Sequence, residues 1–237
     1  MGKKSESATV STVRFASHDN TDWALVTGQP GSGKTTAVKA LARELTQKGV
    51  RLRGFVTEEV LAGGSRVGFD VVTVPDGRRG VLSRKGGPSS HPKTGAYSVD
   101  VESFESLALP TLQDDSQGDD GNVVYVLDEV GRMELHSEAF AATVEQLIAR
   151  GVRLLGAITA PIYGHRVPFC DRLSASKGVE VHRLTAKIRE SVVQQLRTSL
   201  LRRWVVTAAS PGKTQPLTEK TTKRPAKRRK SGTQHKT

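Results

Sequence analysis

The strongest constraint on the fold of this chain is a glycine-rich segment that lies between a short apolar run and an amphipathic stretch. The segment matches the pattern G-x-x-x-x-G-K-[ST], and it reads Gly28-Gln29-Pro30-Gly31-Ser32-Gly33-Lys34-Thr35. The β-prone run WALVT precedes it at 23–27, and the apolar residues of AVKALARELTQKG follow it at helical spacing. The order strand, loop, helix is the one that a phosphate-binding loop requires, so we expect such a loop here.

The residue types of this loop suit a triphosphate. Glycines leave room for backbone N–H groups, and for the positive end of the following helix, to point at phosphate oxygens. We expect Lys34 to reach the β- and γ-phosphates, the hydroxyl of Thr35 to bind Mg²⁺, and Thr36 to support the helix start. A glycine-rich turn that only links a strand to a helix is the alternative, and the full match disfavours it. The predicted nucleotide contacts are Gly28, Gln29, Pro30, Gly31, Ser32, Gly33, Lys34, Thr35 and Thr36.

A second apolar run, VVYVL at 123–127, ends in two carboxylates, Asp128 and Glu129. A carboxylate at the end of a buried strand commonly holds Mg²⁺ through water in P-loop proteins, so Asp128 is a predicted metal ligand. Glu129 can orient and polarise a water molecule for in-line attack on the γ-phosphorus, and only hydrolysis needs that role. There is an alternative for each residue. Asp128 could be a helix cap or an ion-pair partner, and Glu129 could be a solvated loop residue.

Alternating strands and helices with nearly continuous apolar strands predict an α/β fold, a P-loop NTPase with a mostly parallel central sheet and helices on both faces. Between 51 and 84, β-prone runs alternate with the turn signals Gly63-Gly64 and Pro75-Asp76-Gly77, which predicts an inserted antiparallel β-meander. A loop is expected at 86–96. Further helices are expected over 103–113, 135–150 and 185–204.

The net charge of +12 is concentrated at one end of the chain. Residues 211–237 carry +8 of it, so the charge says little about what the folded body binds. We predict a disordered leader at 1–22, a P-loop NTPase domain at 23–210 and a disordered basic tail at 211–237. The tail resembles a nuclear-import sequence, and it is equally suited to nonspecific contact with nucleic acid.

Composition excludes several classes of protein. Apolar runs fall short of the roughly 18 residues that a membrane span requires, and the N-terminus lacks the apolar region of a secretory signal. We therefore expect no membrane association and a cytoplasmic or nuclear protein, and we expect a monomer. Cys170, the single cysteine, is predicted to be chemically inert, and the scattered histidines, such as His136 and His165, show no metal-binding spacing.

Several blocks occur in one order along residues 23–205: GQPGSGKTT, GFVTEEV, RVGFDVVTV, GVLSR, YSVDVESFESLALP and VYVLDEVGRMEL. Together they resemble the cancer-related nucleoside-triphosphatase family, a thermophilic NTPase-like group. The P-loop is widely shared, whereas TEEV combined with LDEVGRMEL is far more specific. The resemblance implies slow, Mg²⁺-dependent hydrolysis of nucleoside 5′-triphosphates (ATP, GTP, CTP, UTP) to diphosphate and phosphate, with broad base preference. The P-loop residues, Asp128 and Glu129 match the family motifs.

Other polar residues in these blocks are candidates to surround the nucleotide. They are Glu58, Glu59, Arg66, Arg84, Arg132 and Glu134. Negative charge that develops on the γ-phosphoryl group favours a nearby guanidinium, so Arg84 or Arg132 is a candidate internal arginine finger. The alternative is that each of them is an ordinary surface arginine.

Two other functions remain open at this point. A nucleotide or nucleoside kinase shares the P-loop and the parallel sheet, and the meander at 51–84 offers a place for an acceptor. A nucleotide-gated RNA-binding protein would instead use the basic tail to hold RNA and hydrolysis as a timer. Phosphate release without an acceptor separates the first from a hydrolase, and stimulation by RNA identifies the second.

Overall fold

A computed structural model describes residues 22–113, 123–161 and 166–205. Its elements alternate between strands and helices after the first glycine-rich loop, as the sequence predicts. They are β1 (Asp22–Gly28), α1 (Lys34–Gln47), β2 (Arg51–Ala62), β3 (Ser65–Val74), β4 (Arg79–Lys85), β5 (Lys93–Thr94), β6 (Tyr97–Val99), α2 (Val101–Leu112), β7 (Val123–Val130), a 3₁₀ turn (Glu134–His136), α3 (Glu138–Ala149), β8 (Arg153–Thr159), α4 (Pro168–Ser174), β9 (Val179–Arg183) and α5 (Arg189–Trp204).

The strands within these ranges form a single mixed sheet in the order β5-β6-β4-β3-β2-β7-β8-β1-β9. From β2 to β9 the neighbours are parallel. From β2 to β5 in the other direction they are antiparallel. The predicted α/β class with an antiparallel meander is confirmed. The meander continues the central sheet beyond β2, so the sheet is parallel over one half and antiparallel over the other.

Helices cover both faces of the sheet. Successive residues of its central strands point to opposite faces, so each face has apolar side chains that pack against helices. Trp23 and Leu25 of β1 join a core with α2, α3 and α4. The intervening residues Ala24 and Val26 join a second core with α1 and α5. The first core contains the rings of Phe55, Phe104 and Phe140 packed edge to face, with centroids 5.2–5.7 Å apart.

Strand register brings the predicted functional residues to one edge of the sheet. Gly28 at the end of β1 pairs with Thr159 at the end of β8. Asp128 near the end of β7 pairs with Val56 of β2. Because these strands are parallel, their carboxyl ends share an edge, and this is the edge where α/β folds bind ligands.

Strand β1 includes Asp22, one residue before the predicted domain start at 23. Asp22 belongs to β1 and lies at the end of α5, where Trp204 donates a hydrogen bond from Nε1 to Asp22 Oδ2 at 2.5 Å and Arg203 forms an ion pair with Asp22 at 3.1 Å. Residue 22 is therefore not part of the leader. The remainder of the predicted leader, 1–21, and residues 206–237 with the predicted basic tail lie outside the described residues.

Helix boundaries differ from the sequence-based expectation where side chains cap the backbone. The stretch 135–150 divides because Ser137 Oγ accepts a hydrogen bond from Phe140 N at 2.9 Å and caps α3.

Two short elements were not expected from the sequence. Strand β5 lies inside the expected loop at 86–96, and helix α4 begins at Pro168. Among the helices that the structure describes, none is long and apolar enough to cross a membrane.

Gly54 allows β2 to approach β7, the strand that carries Asp128. Its φ is 118°, and a Cβ there would lie 2.1 Å from the carbonyl oxygen of Val126. We expect Gly54→Ala to lower the free energy of unfolding by about 2 kcal/mol or more, because the clash adds to the backbone strain. Urea unfolding measures this loss.

Gly63→Ala is the matched control, because Gly63 also has a positive φ, 55°, but a Cβ there meets nothing within 4 Å. It should cost only about 1 kcal/mol, the strain alone. Equal losses for the two variants would contradict the close approach of β2 and β7.

Candidate active site

The loop between β1 and α1 has the shape of an anion-binding turn. Gly33 has a φ of 91°, a conformation that favours glycine, and it stands immediately before the first residue of α1. Its carbonyl accepts the first hydrogen bond of the helix, from Ala37 N at 2.9 Å. The N–H groups of the first turn of α1 therefore remain available to phosphate oxygens, as the sequence predicts.

Lys34 folds back across this loop toward the carboxylates. Its Nζ donates a hydrogen bond to the carbonyl of Gly28 at 3.2 Å and lies 3.4 Å from Glu129 Oε2. The side chain is only 12% exposed. The structure thus brings together the predicted phosphate-binding lysine and the predicted catalytic carboxylate.

Asp128 is fully buried in the last part of β7. No hydrogen bond of normal geometry reaches either carboxylate oxygen from the described residues. Burial raises the pKa of Asp128 to about 7; Glu129 adds to the rise, and the nearby Thr35 hydroxyl and Lys34 ammonium oppose it. A buried carboxylate without a partner costs free energy, and a bound cation removes that cost.

The donors around Asp128 fit a hard divalent cation. Thr35 lies in the first turn of α1, and Ser32 Oγ is a second buried oxygen without a hydrogen-bond partner in the described part of the chain. Across the described ranges, no three His, Cys, Asp or Glu side chains are arranged to hold a metal ion. A cation here would take oxygen ligands from Thr35 and Asp128 and the others from water and phosphate, which is how Mg²⁺ is usually bound.

Glu129 is fixed by two neighbours. Thr159 Oγ1 donates a hydrogen bond to Glu129 Oε1 at 2.9 Å, while Lys34 contacts Oε2. The Glu129 side chain is still 26% exposed, so water can reach it. This arrangement favours an oriented carboxylate over a freely solvated loop residue.

Glu134 lies beside this carboxylate. Its Oε2, Glu129 Oε1 and Thr159 Oγ1 all lie within 3.0 Å of the position that a Cβ on Gly131 would occupy. Burial raises the pKa of Glu134 well above its ordinary value, and the negative charge of Glu129 raises it further, while the main-chain N–H groups of Glu134 and Gly131 oppose the rise. Glu134 thus packs beside the predicted catalytic carboxylate, and its environment favours the neutral form.

Arg84, one of the two candidate arginine fingers, is held by the meander. Its guanidinium forms an ion pair with Asp70 at 2.5 Å and donates to the carbonyl of Phe69 at 2.8 Å. Arg79 bridges Asp70 and Glu58, and Lys39 of α1 reaches Glu58 at 2.5 Å. Arg84 would have to leave these contacts to reach a γ-phosphate.

The other sequence candidates lie in different places. Glu59 and Arg66 form an exposed ion pair at 2.7 Å on the β2–β3 hairpin, and Arg66 also donates to the Tyr97 hydroxyl at 3.0 Å. Arg132 is exposed and lines a cleft next to the loop that carries Glu134.

Cys170 is buried, and its burial raises the pKa of the thiol to about 12, in agreement with an inert side chain. His165 lies outside the described residues.

Sequence analysis missed Arg189, the first residue of α5. A Cβ on Gly33 would lie 2.7 Å from Arg189 Cδ and 3.1 Å from Nη1, so this guanidinium packs against the phosphate-binding loop. An arginine in an amphipathic helix gives no signal of such a role. The position of Arg189 follows from the tertiary structure. Strand β9 pairs with β1, and α5 comes directly after β9, so this helix begins next to the loop.

The sequence model of a family described as NTPase matches residues 24–197. The cancer-related nucleoside-triphosphatase of Homo sapiens is 40% identical over 179 residues, which cover 73% of this chain and 93% of that protein. This chain belongs to that nucleoside-triphosphatase family. The nucleoside-triphosphatase THEP1 of Methanothermobacter thermautotrophicus is 40% identical over 134 residues, 56% of this chain and 74% of that protein.

Two solved structures of family members share the fold. The solution structure of a human cancer-related nucleoside triphosphatase has a TM-score of 0.66 and 38% identity, and the match covers 76% of this chain and 98% of that one. The crystal structure of THEP1 from Aquifex aeolicus has a TM-score of 0.64 and 31% identity, over 75% and 98% of the two chains. The resemblance read from the sequence blocks is confirmed.

Glu134→Gln tests the electrostatics of the carboxylate pair. The ordinary pKa of a glutamate is 4.5, and in the folded protein that of Glu134 is higher. Between these values the native state keeps a proton that the unfolded chain releases, so this group makes stability fall as pH rises. We expect the variant to be more stable than the wild type at mildly alkaline pH, with a smaller difference near pH 4.5.

Urea unfolding at the two pH values measures this effect. Glu145→Gln, an exposed position on α3, is the control and should change little at either pH. The same difference at both pH values would contradict a raised pKa at Glu134.

Arg189→Ala tests the cation that packs on the loop. Its removal should raise the KM for a nucleoside triphosphate about five-fold with a much smaller change in kcat, because one partly exposed charge next to bound phosphates is worth about 1 kcal/mol. Steady-state kinetics measures both constants. Arg202→Ala, at the far end of the same helix, is the control; an equal change in KM there would refute a specific role for Arg189.

Proposed function

We propose that this protein hydrolyses nucleoside 5′-triphosphates to the diphosphate and phosphate, with Mg²⁺ as cofactor. The observation that carries the proposal is the placement of Glu129, whose carboxylate is held between Thr159 and Lys34 at the mouth of the phosphate-binding loop. The unpartnered buried carboxylate of Asp128 in the preceding position supports a cation there. The human relative named as a nucleoside-triphosphatase supports the reaction class.

Each residue has a distinct part in this reaction. The N–H groups at the start of α1 and the ammonium of Lys34 bind the β- and γ-phosphates and stabilise the charge that develops on them. Glu129 orients a water molecule in line with the bridging oxygen and accepts its proton as the new O–P bond forms and the β–γ bond breaks. Thr159 keeps the Glu129 carboxylate in one orientation. Thr35 and Asp128 would hold Mg²⁺, which would neutralise further phosphate charge when bound.

Slow turnover and broad base preference form part of the proposal. An arginine finger accelerates phosphoryl transfer by about 10³–10⁵-fold, and Arg84 is engaged by Asp70. While Arg84 stays in that ion pair it supplies no such acceleration, which supports slow turnover. The groups assigned above all address the triphosphate and none the base, which supports similar rates with ATP, GTP, CTP and UTP.

A kinase is the closest alternative, and Glu129 argues against it. An oriented carboxylate next to the γ-phosphate activates water, and a kinase must exclude water to protect its donor. Phosphate release without any added acceptor therefore separates the two functions. The RNA-gated alternative depends on the basic tail, which lies outside the described residues.

Glu129→Gln should bind nucleotide normally and lose on the order of 100-fold or more in kcat, because the amide orients water poorly and cannot accept its proton. A phosphate-release panel over ATP, GTP, CTP and UTP, with and without Mg²⁺, measures the rates. Glu59→Gln makes the same chemical change on the exposed β2–β3 hairpin and should retain wild-type rates.

Lys34→Ala separates binding from chemistry, because loss of this ammonium should weaken nucleotide affinity itself. Near-normal turnover in Glu129→Gln would reject the assignment of the base. Unchanged affinity and turnover in Lys34→Ala would reject the nucleotide site.

A further inference from the structure

A cleft of about 400 Å³ lies on the outer side of the loop that follows Glu129. It is walled by β5, by the loop and 3₁₀ turn after β7 and by the residues that lead into α4. Its cationic lining residues are Lys93, Arg132 and Arg166, joined by His136. Its apolar lining includes Leu135 and Val167.

The described residues that line this cleft carry permanent charge of one sign. None of the described residues that line it carries a carboxylate. Three permanent cations from three separate segments of the described chain therefore line one cleft. Arg166 forms an ion pair with Asp171 at 3.0 Å, but its side chain remains 70% exposed. Clefts lined by one sign of charge concentrate ligands of the opposite sign.

The cleft is joined to the catalytic carboxylates by one short segment. Gly131 lies against Glu129 and Glu134, and the next residue is Arg132 of the cleft. Glu134 begins the 3₁₀ turn whose other residues, Leu135 and His136, line the cleft. The orientation of His136 is set by a hydrogen bond of 3.0 Å between Nε2 and Thr94 Oγ1 of β5. A ligand in the cleft would thus contact the same segment that packs on Glu129.

Size and chemistry together restrict the ligand. Small-molecule sites usually have volumes of about 300–1,000 Å³, so this cleft suits a molecule of metabolite size. Arginine and lysine side chains favour phosphate groups, and arginine binds them with paired hydrogen bonds. The apolar side chains of Leu135 and Val167 can cover an organic group attached to the phosphate.

We propose that this cleft is a second anion site, which binds a small phosphate-bearing molecule separately from the nucleotide in the P-loop. The phosphate group lies among Lys93, Arg132 and Arg166. Either a phosphate monoester or inorganic phosphate, the product of hydrolysis, has the required chemistry. The site lies outside the P-loop, so the inference goes beyond the proposed hydrolysis and does not depend on it.

Calorimetric titration of the full chain tests this site. The P-loop is first saturated with Mg²⁺ and a non-hydrolysable ATP analogue, so that added phosphate meets only the cleft. Inorganic phosphate and adenosine monophosphate are then titrated separately at constant ionic strength. We expect saturable binding that weakens about five-fold in Lys93→Ala, the change expected for loss of one exposed charge contact.

Lys48→Ala removes the same charge from the exposed C-terminal end of α1 and should leave binding unchanged. Arg166→Ala should weaken binding as Lys93→Ala does, and it provides a second variant if the first folds poorly. Tighter binding of the monophosphate than of phosphate assigns the cleft to an organic phosphate ester, and equal binding assigns it to phosphate itself.

Two results would overturn the proposal. One is the absence of saturable binding of either ligand to the wild type. The other is equal affinity in the wild type and both cleft variants. Hydrolysis is not measured in this titration, so failure of the cleft site and failure of the proposed hydrolytic function give different results.

Discussion

The site depends on one electrostatic constraint, a carboxylate that the fold buries without neutralising it. Asp128 ends the run of apolar residues in β7, and the sheet and helices leave its oxygens without a normal hydrogen bond from the described residues. A cation bound from outside the chain would remove the cost of that burial, and the neighbouring Thr35 hydroxyl is a further oxygen ligand that such a cation could use. Two neighbouring polar groups complete the site. Lys34 is close enough to oppose the negative charge of Asp128, and Glu129 accepts a hydrogen bond from Thr159.

The mixed sheet explains how two kinds of chemistry can lie side by side. Its parallel half places strand ends at a common edge, which is where a loop and a helix can enclose a triphosphate. Its antiparallel half provides strands whose side chains form a series of ion pairs in which Arg79 joins Glu58 to Asp70 and Asp70 pairs with Arg84. Lys39 of α1 extends the series by its ion pair with Glu58. Strand β2 belongs to both halves, so a residue such as Glu58 connects the meander to the helix that begins at the phosphate-binding loop.

Sequence reasoning was most successful where short-range chemistry determines the structure. The spacing of the glycines and Lys34, and the apolar run before Asp128, follow from what a phosphate loop and a buried strand require, and the structure places them as expected. It was least successful where the position of a residue depends on the order of strands in the sheet. Nothing near Arg189 or Thr159 in the sequence indicates that α5 starts against Gly33, or that β8 ends next to Glu129. Arg84 shows a different kind of failure. A sequence motif marked it as a candidate arginine finger, but its ion-pair partner Asp70 lies on another strand and is not evident from the sequence. The roles assigned to individual site residues remain predictions.

The contact of Trp204 and Arg203 with Asp22 has a geometric consequence. It joins the last helix to the first residue of the first strand, and that residue lies at the opposite end of β1 from Gly28. A seven-residue strand spans roughly 20 Å, so Asp22 and Trp204 are neighbours, and both lie about a full strand length from the phosphate loop. The contact therefore fastens α5 to β1 at the edge of the sheet opposite to the one where the nucleotide is expected to bind, so α5 can be anchored without any side chain from the phosphate loop.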